Sequence, residues 1–176
     1  MISEKLTKAL NEQVNAEYYS AYLYQSMSAC MERAALKGTA SWLFTQAKEE
    51  MAHGINIYQY ILDRGAVPVL SDIGQPTASF ADIEEIFEAV LAHEQKVTKL
   101  INEIASLAMQ EKDHACYQFI MWYVNEQVEE ESNASDILSR IQMIGGDKGL
   151  LLSLDNELAA RVFVNPFPAN SKLSGV

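Results

Sequence analysis

The sequence predicts an all-α protein: an antiparallel four-helix bundle with one long crossover and a short C-terminal fifth helix. Three observations carry this. Of 176 residues only 8 are Gly and 4 are Pro, and the prolines stand at positions 68, 76, 166 and 168, so residues 4–64 and 82–144 are long proline-free runs. Within those runs apolar residues recur at alternating spacings of four and three, the signature of helices packed at a shallow angle. Between them lies an irregular stretch, 66–81, longer than the usual turn between adjacent helices. It can carry the chain back along a bundle, so that the next helix runs parallel to the one before.

The first helix is expected from about Glu4 to Met31, with Ser3 as its N-cap. Its inner seam reads Leu6, Leu10, Gln13, Glu17, Ser20, Tyr24, Met27, Met31. Residues 32–38 form a connection. The second helix spans about Thr39 to Arg64 and is stopped by Gly65, with Leu43, Glu50, His53, Ile57 and Ile61 facing inward. After the crossover a third helix runs from about Asp82 to Gln110, with the seam Ile83, Phe87, Val90, Glu94, Val97, Ile101, Ile104, Ala108. A link at 111–113 leads to a fourth helix, about His114 to Ile144, closed by Gly145-Gly146. Its inner face is assigned to Tyr117, Ile120, Val124, Gln127, Ala134, Leu138 and Ile141. The fifth helix, about Leu150 to Arg161, is too short to stand alone and too apolar to lie in water, so it docks on the bundle or meets symmetry mates. Residues 1–161 thus form one domain and 162–176 an irregular tail.

The chain carries 24 acidic and 13 basic residues, a net charge of −11. That disfavours nucleic acid and anionic membranes as partners and suits cations, although solubility accounts for the charge equally well. No stretch reaches 18 apolar residues and the first residues lack an apolar leader region, so neither a membrane span nor a secretory signal is expected. Cys30 and Cys116 sit in apolar helical patterns without a Cys-x-x-Cys, as free thiols in a reducing cytoplasm would.

The chemistry lies in the polar residues that interrupt the seams. Glu50 and His53 are spaced i, i+3, which puts a carboxylate and an imidazole on one helix face within reach of one ion. Alone, such a pair in an acidic helix is usually solvated surface. Glu17 and Glu94, however, stand where apolar residues belong, and an unpaired buried carboxylate costs several kcal/mol. Glu17 to Glu50 is 33 residues, and so is Glu94 to Gln127. Each half of the chain is therefore a helix with one inward Glu followed by a helix with an i, i+3 pair: Glu50/His53, then Gln127/Glu130. Such a two-fold repeat of hairpins brings all of them together near mid-bundle. Carboxylates with one imidazole and no thiolate favour iron or manganese over structural zinc, with Glu50 as the natural bridge. His93 reads as a surface or supporting residue and His114 as a helix-terminal one.

With these residues in place the sequence resembles the ferritins over about residues 3–161: Glu17, Tyr24, Glu50-x-x-His53, Glu94 and Gln127 stand in the ferroxidase pattern. The likeness is nearest to the bacterial-type non-haem ferritins, whose third iron site the acids Glu49, Glu126, Glu129 and Glu130 resemble. The resemblance implies a ferritin-like shell of about 24 subunits with helix five at its four-fold axes. The activity implied is oxidation of Fe(II) by O2 or H2O2 and storage of ferric mineral. By the same likeness, Glu17, Glu50 and His53 would hold one iron. Glu50 and Glu94 would hold a second, with Glu130 near it, Gln127 placing water or dioxygen, and Tyr24 as hydrogen-bond partner and electron donor. Where animal ferritins line a three-fold pore with acids, this chain has Tyr117 and Ile120, and where they nucleate mineral it has Ala52 and Ile55. A haem-binding bacterioferritin is the nearest alternative, because Met51 follows the bridging Glu as that family's haem ligand does. Glu130 replaces that family's second His, so no haem is expected. A DNA-protecting mini-ferritin is the other, but it usually lacks the fifth helix and nothing basic here suits DNA.

Overall fold

A computed structural model describes residues 1–167; the last nine positions of the expected tail lie outside the described residues. Five helices follow in order: α1 (Glu4–Arg33), α2 (Lys37–Asp63), α3 (Ile83–Gln110), α4 (His114–Ile144) and α5 (Lys148–Leu158). Four of them start on a side-chain cap, as the composition of their first turns suggests. Ser3 accepts from the Leu6 amide, Asp82 from Glu85, Asp113 from Cys116, and Asp147 from Gly149 and Leu150. Asp147 therefore starts α5 two residues before the expected point, and the helix ends at Leu158 rather than Arg161.

α2 begins at Lys37 rather than Thr39, because its cap is not local. Leu36 precedes it and offers no side-chain acceptor. The carboxylate of Asp155, on α5, instead accepts from the amides of Gly38 (3.0 Å) and Thr39 (2.7 Å) and from the Thr39 hydroxyl (2.8 Å). A buried carboxylate on the free N–H groups and positive pole of a helix is well placed. The approach is so close that a Cβ on Gly38 would lie 1.7 Å from the Asp155 carbonyl oxygen. Leu154 and Leu158 are buried beside this contact, so α5 docks on the bundle through α2 and α4.

α1 packs on α2 and α3 on α4, with α1 against α3, whereas the backbones of α2 and α4 come no closer than 8 Å between Cα atoms. The non-helical crossover runs the length of α1. Near its start the Val69 amide donates to Asn11 Oδ1 (2.9 Å); further on, the Ser26 hydroxyl donates to the Thr77 carbonyl (2.7 Å) and Cys30 lies 3.5 Å from the Ala78 carbonyl. From Asn11 to Cys30 a helix rises about 28 Å, so α3 starts at the same end of the bundle as α2. At the other end, Arg64 holds the cap residue Asp113 through two hydrogen bonds (3.1 and 2.7 Å), joining the end of α2 to the start of α4.

The seams expected for α1, α2 and α3 are all buried. That of α4 is only partly the one expected: Ile120, Gln127, Glu130, Ala134 and Ile141 are buried, but Cys116, Tyr123 and Ile137 face the core in place of Tyr117, Val124 and Leu138, which are only half-buried. The buried set 116, 120, 123, 127, 130, 134, 137, 141 keeps the four-three alternation without a break, and aromatic and branched residues on both flanks hid its phase. The apolar core falls into two clusters. One holds Met27, Leu43, Phe87 and Ile137; the other holds Leu10, Ile57, Ile101 and Ile120. The polar seam residues occupy the layer between them.

Asp155→Ala strips α2 of its acceptor and leaves two amides buried, and is expected to destabilise the subunit by about 1–2 kcal/mol. Asp155→Asn, which keeps one acceptor oxygen, should lose less, and denaturant unfolding of the two variants measures the difference.

Candidate metal centre

Glu17, Glu50, Glu94 and Glu130 are each no more than 5% exposed, and the one cation-forming group among them is His53. Each reaches the layer because it occupies a seam position of its own helix, one per turn-pair, at the same depth. Glu17, Glu50 and His53 offer ligand atoms that all lie within 4.8 Å of one another, the one such group of three or more among the described residues. His53 Nδ1 is 3.6 Å from Glu50 Oε2. On the far side of Glu50 the Gln46 amide bridges two carboxylates, donating to Glu50 Oε1 (3.0 Å) and to Glu130 Oε2 (2.7 Å). Glu94 accepts from the Tyr24 hydroxyl and from Gln127 Nε2 (3.0 Å); Gln127 also reaches Thr98 (3.3 Å), whose hydroxyl donates to Glu131 (2.5 Å). Thus Tyr24, Gln127, Glu94 and Glu130 join Glu50 in the layer.

Two residues of the layer carried no functional expectation from sequence. Gln13 donates to Glu17 (2.8 Å) as Gln46 does to Glu50, each one turn before its carboxylate. Gln13 and Gln46 are themselves 33 residues apart, so the repeat that links Glu17 to Glu50 marks them too. A third is Gly54. A Cβ there would meet the Tyr18 ring at 2.5 Å and Glu17 Cβ at 3.3 Å. Glycine lets α1 lie close enough to α2 for Glu17 and Glu50 to share an ion.

The electrostatics are those of too many carboxylates in too little water. Burial, then the charge of Glu50, raises Glu17 well above the carboxylate range. Burial with the Glu50 charge holds Glu94 at about 7, and burial with Glu50 and Glu94 holds Glu130 at about 8. Glu50 is the exception: burial pushes it up, but the hydrogen bonds and charge of His53, helped by Glu17 and Gln46, leave it below its ordinary value. Burial alone would discharge His53; the hydrogen bond and charge of Glu50, with Glu17 and Glu130, raise it to about 10. The Tyr24 hydroxyl, pushed up by burial and by Glu94, keeps its proton and remains a donor. Without a metal the layer therefore stores protons, and cations can replace them. Gln13 Oε1, Gln46 Oε1 and His53 Nε2 are buried without a protein partner, leaving the layer spare capacity for ligands. Carboxylate oxygens with a single imidazole nitrogen suit iron or manganese.

The remaining acids lie outside this cluster. Glu49 and Glu126 are half-buried and Glu129 is exposed; Glu49 is ion-paired with Arg161. Tyr123 supports His53 from behind, donating to its carbonyl (3.0 Å) while accepting from Asn56 (2.9 Å). His93 is half-buried against α1, its Nε2 2.7 Å from the hydroxyl of the buried seam residue Ser20, and His114 is exposed at the start of α4. Met51 is 39% exposed, and Ile120 is wholly buried within the bundle.

Comparison with known proteins agrees with this arrangement. The sequence model of the ferritin family, described as a ferritin-like domain, matches residues 7–144. A bacterial non-heme ferritin of Staphylococcus aureus is 39% identical over 163 residues, spanning 93% of this chain and 98% of its own. Its counterpart in Staphylococcus epidermidis is 41% identical over the same spans. Among solved structures, an open-pore ferritin of the hyperthermophilic archaeon Archaeoglobus fulgidus superimposes with a TM-score of 0.91 at 45% identity, covering 92% of this chain and 99% of that one. A closed form of the A. fulgidus ferritin engineered by site-directed mutagenesis gives 0.92 at 44%, covering 93% and 100%.

The stored protons give the metal-free protein a distinctive pH dependence. Glu94 and Glu130 bind protons more tightly folded than unfolded, so their contribution to stability is present at low pH and is lost as pH rises from about 4.5 through 7 and 8. The melting temperature of metal-free protein should fall between pH 5 and 8, a divalent cation should restore it, and Glu94→Gln with Glu130→Gln should flatten the slope. Metal binding should release protons, measured in weakly buffered solution.

Proposed function

The chain belongs to the ferritin family, and from that premise we propose that its buried carboxylate layer is the ferroxidase centre of a non-haem iron-storage protein. Fe(II) is its substrate and ferric mineral its cargo. The observation that carries the reading is the burial of four carboxylates against one imidazole, with Glu17, Glu50 and His53 converging on a single ion-sized volume. A protein without a cationic ligand has no use for such a layer, since each unpaired carboxylate is costly to bury.

In this reading Glu17, Glu50 and His53 hold one Fe(II), and Glu50 with Glu94 holds a second beside Glu130. Glu50, the carboxylate most readily ionised, bridges the two. Each Fe(II) yields one electron, so a pair at one place delivers the two electrons that take O2 to H2O2, or H2O2 to water. Gln127 and Tyr24, both hydrogen-bonded to Glu94, orient that carboxylate and the incoming water or oxidant. Tyr24, within hydrogen-bond reach of Glu94, is placed to give up an electron of its own. The second pair holds Glu130 where a His would bind iron more permanently, which suits a site that passes its product on. Glu49, Glu126, Glu129 and Glu130 form the third iron site in this proposal.

Several finer points follow the same reading. The family implies an oligomeric shell, and we assign it about 24 copies. The two positions that carry acids in the three-fold pore of animal ferritins are here Ile120, in the core, and Tyr117, half-buried, so these two positions supply no acidic lining for such a channel. The free thiols Cys30 and Cys116 suit a reducing cytoplasm, and no helix among the described residues is long and apolar enough to cross a membrane.

The rate of ferric absorbance after mixing anaerobically loaded protein with air tests the site. Glu50→Ala and His53→Ala should each slow the fast phase by about ten-fold or more, whereas wild-type rates in both would refute the assignment. Native mass spectrometry should give about 24 times 19.7 kDa; a particle half that size would point to a mini-ferritin.

A further inference from the structure

After α5 the chain does not leave the bundle. Residues 159–167 run back as a non-helical strap over the α2–α4 side, where no Cα pair of the two helices comes within 8 Å. Two side chains anchor it. The Arg161 guanidinium pairs through Nη2 with Glu49 and lies 4.4 Å over the Trp42 ring, while its Nη1 is buried with no partner. Phe167 packs its ring 4.7 Å from Trp122, 6.0 Å from His53 and 6.2 Å from Tyr123, and an Asn165 side chain accepting from its amide (3.0 Å) turns it inward.

We propose that Arg161 is a tethered cation that occupies Glu49 and so sets how tightly this groove holds an iron ion beyond the pair. The inference rests on the reading of the metal centre given above. Glu49 stands one residue before Glu50 and four before His53, with the half-buried Glu126 across the groove on α4. A carboxylate there attracts a cation, and the chain itself supplies one. An arginine is charged at every physiological pH and stacks on an aromatic face, so it stays in place as a lysine would not. Its positive charge and that of a metal ion repel each other and compete for the same Glu49 oxygens. A third iron that ligates Glu49 therefore competes with Arg161, and the strap links displacement of Arg161 to Phe167, whose ring lies beside His53. The population of undocked strap multiplies the apparent affinity of the third position, as any competing intramolecular equilibrium does. The groove is thereby kept for ions in transit.

Redox-silent Zn(II) titrated into the full-length metal-free protein separates this inference from the reading beneath it. In a calorimetric titration, Arg161→Gln should bind the third Zn(II) per subunit about ten-fold more tightly than wild type, and adding Glu49→Gln should abolish the gain. Arg161→Lys, still cationic but without the planar stack, should fall between. The two tryptophans of the chain, Trp42 and Trp122, both lie under the strap, so their emission should shift at the third equivalent in wild type and not in Arg161→Gln. Equal third-ion affinity in wild type and Arg161→Gln, or a gain that survives Glu49→Gln, overturns the proposal. Loss of the first two Zn(II) in His53→Ala supports the metal centre independently; their retention would overturn that reading instead.

Discussion

Everything in this fold answers to the burial of negative charge at mid-bundle. Four carboxylates lie between two apolar clusters, with one imidazole for counter-charge. In so dry a layer carboxylates cannot all ionise together, so protons are retained on Glu17, Glu94 and Glu130 while Glu50 and His53 carry opposite charges. The same strain makes the layer a strong cation trap. Metal ions can replace these protons, and the carboxylate that His53 keeps ionised, Glu50, is the one our reading makes the bridge. The acid–base state of the empty layer and its affinity for cations are one property, seen from two sides.

The rest of the subunit holds that layer at a fixed geometry. Two hairpins supply equivalent half-sites, and the crossover, pinned along α1, sets them at equal depth. Gly54 brings α1 within reach of α2, and Gln13 and Gln46 orient the carboxylates one turn beyond them. At the far end Asp155 on α5 caps α2 across a gap that only Gly38 permits. The fifth helix is thus part of the subunit's own hydrogen bonding. The α2–α4 side is bridged by Gln46 and Glu130 and covered by the strap through Arg161 and Phe167.

Much of this was legible in the residues themselves. Seam residues of α1 and α3 follow an unbroken four-three period and those of α2 nearly so, so Glu17, Glu50, His53 and Glu94 could be turned inward before any coordinates, and the 33-residue offset tied them together. The fourth helix was harder. Tyr117, Val124 and Leu138 are as apolar as Tyr123 and Ile137, and periodicity cannot choose between two apolar flanks of one helix. Gln13 and Gln46 carry the same offset, but a glutamine in a helix is ordinarily unremarked polar surface. Helix ends were misplaced where the cap is remote, as at Leu36, because Asp155 lies more than a hundred residues away in sequence.

The sequence by itself determined the fold class, the bundle topology and the ligand-bearing faces, because these follow from local periodicity and a repeat, each visible in one dimension. The tertiary structure alone decided what surrounds the ligands: which glutamine bridges Glu50 to Glu130, which glycine admits Glu17, and that Arg161 has taken Glu49. Those are distances between residues far apart in the chain. They depend on interhelical spacing and on the path of the strap, which no pattern along the chain encodes.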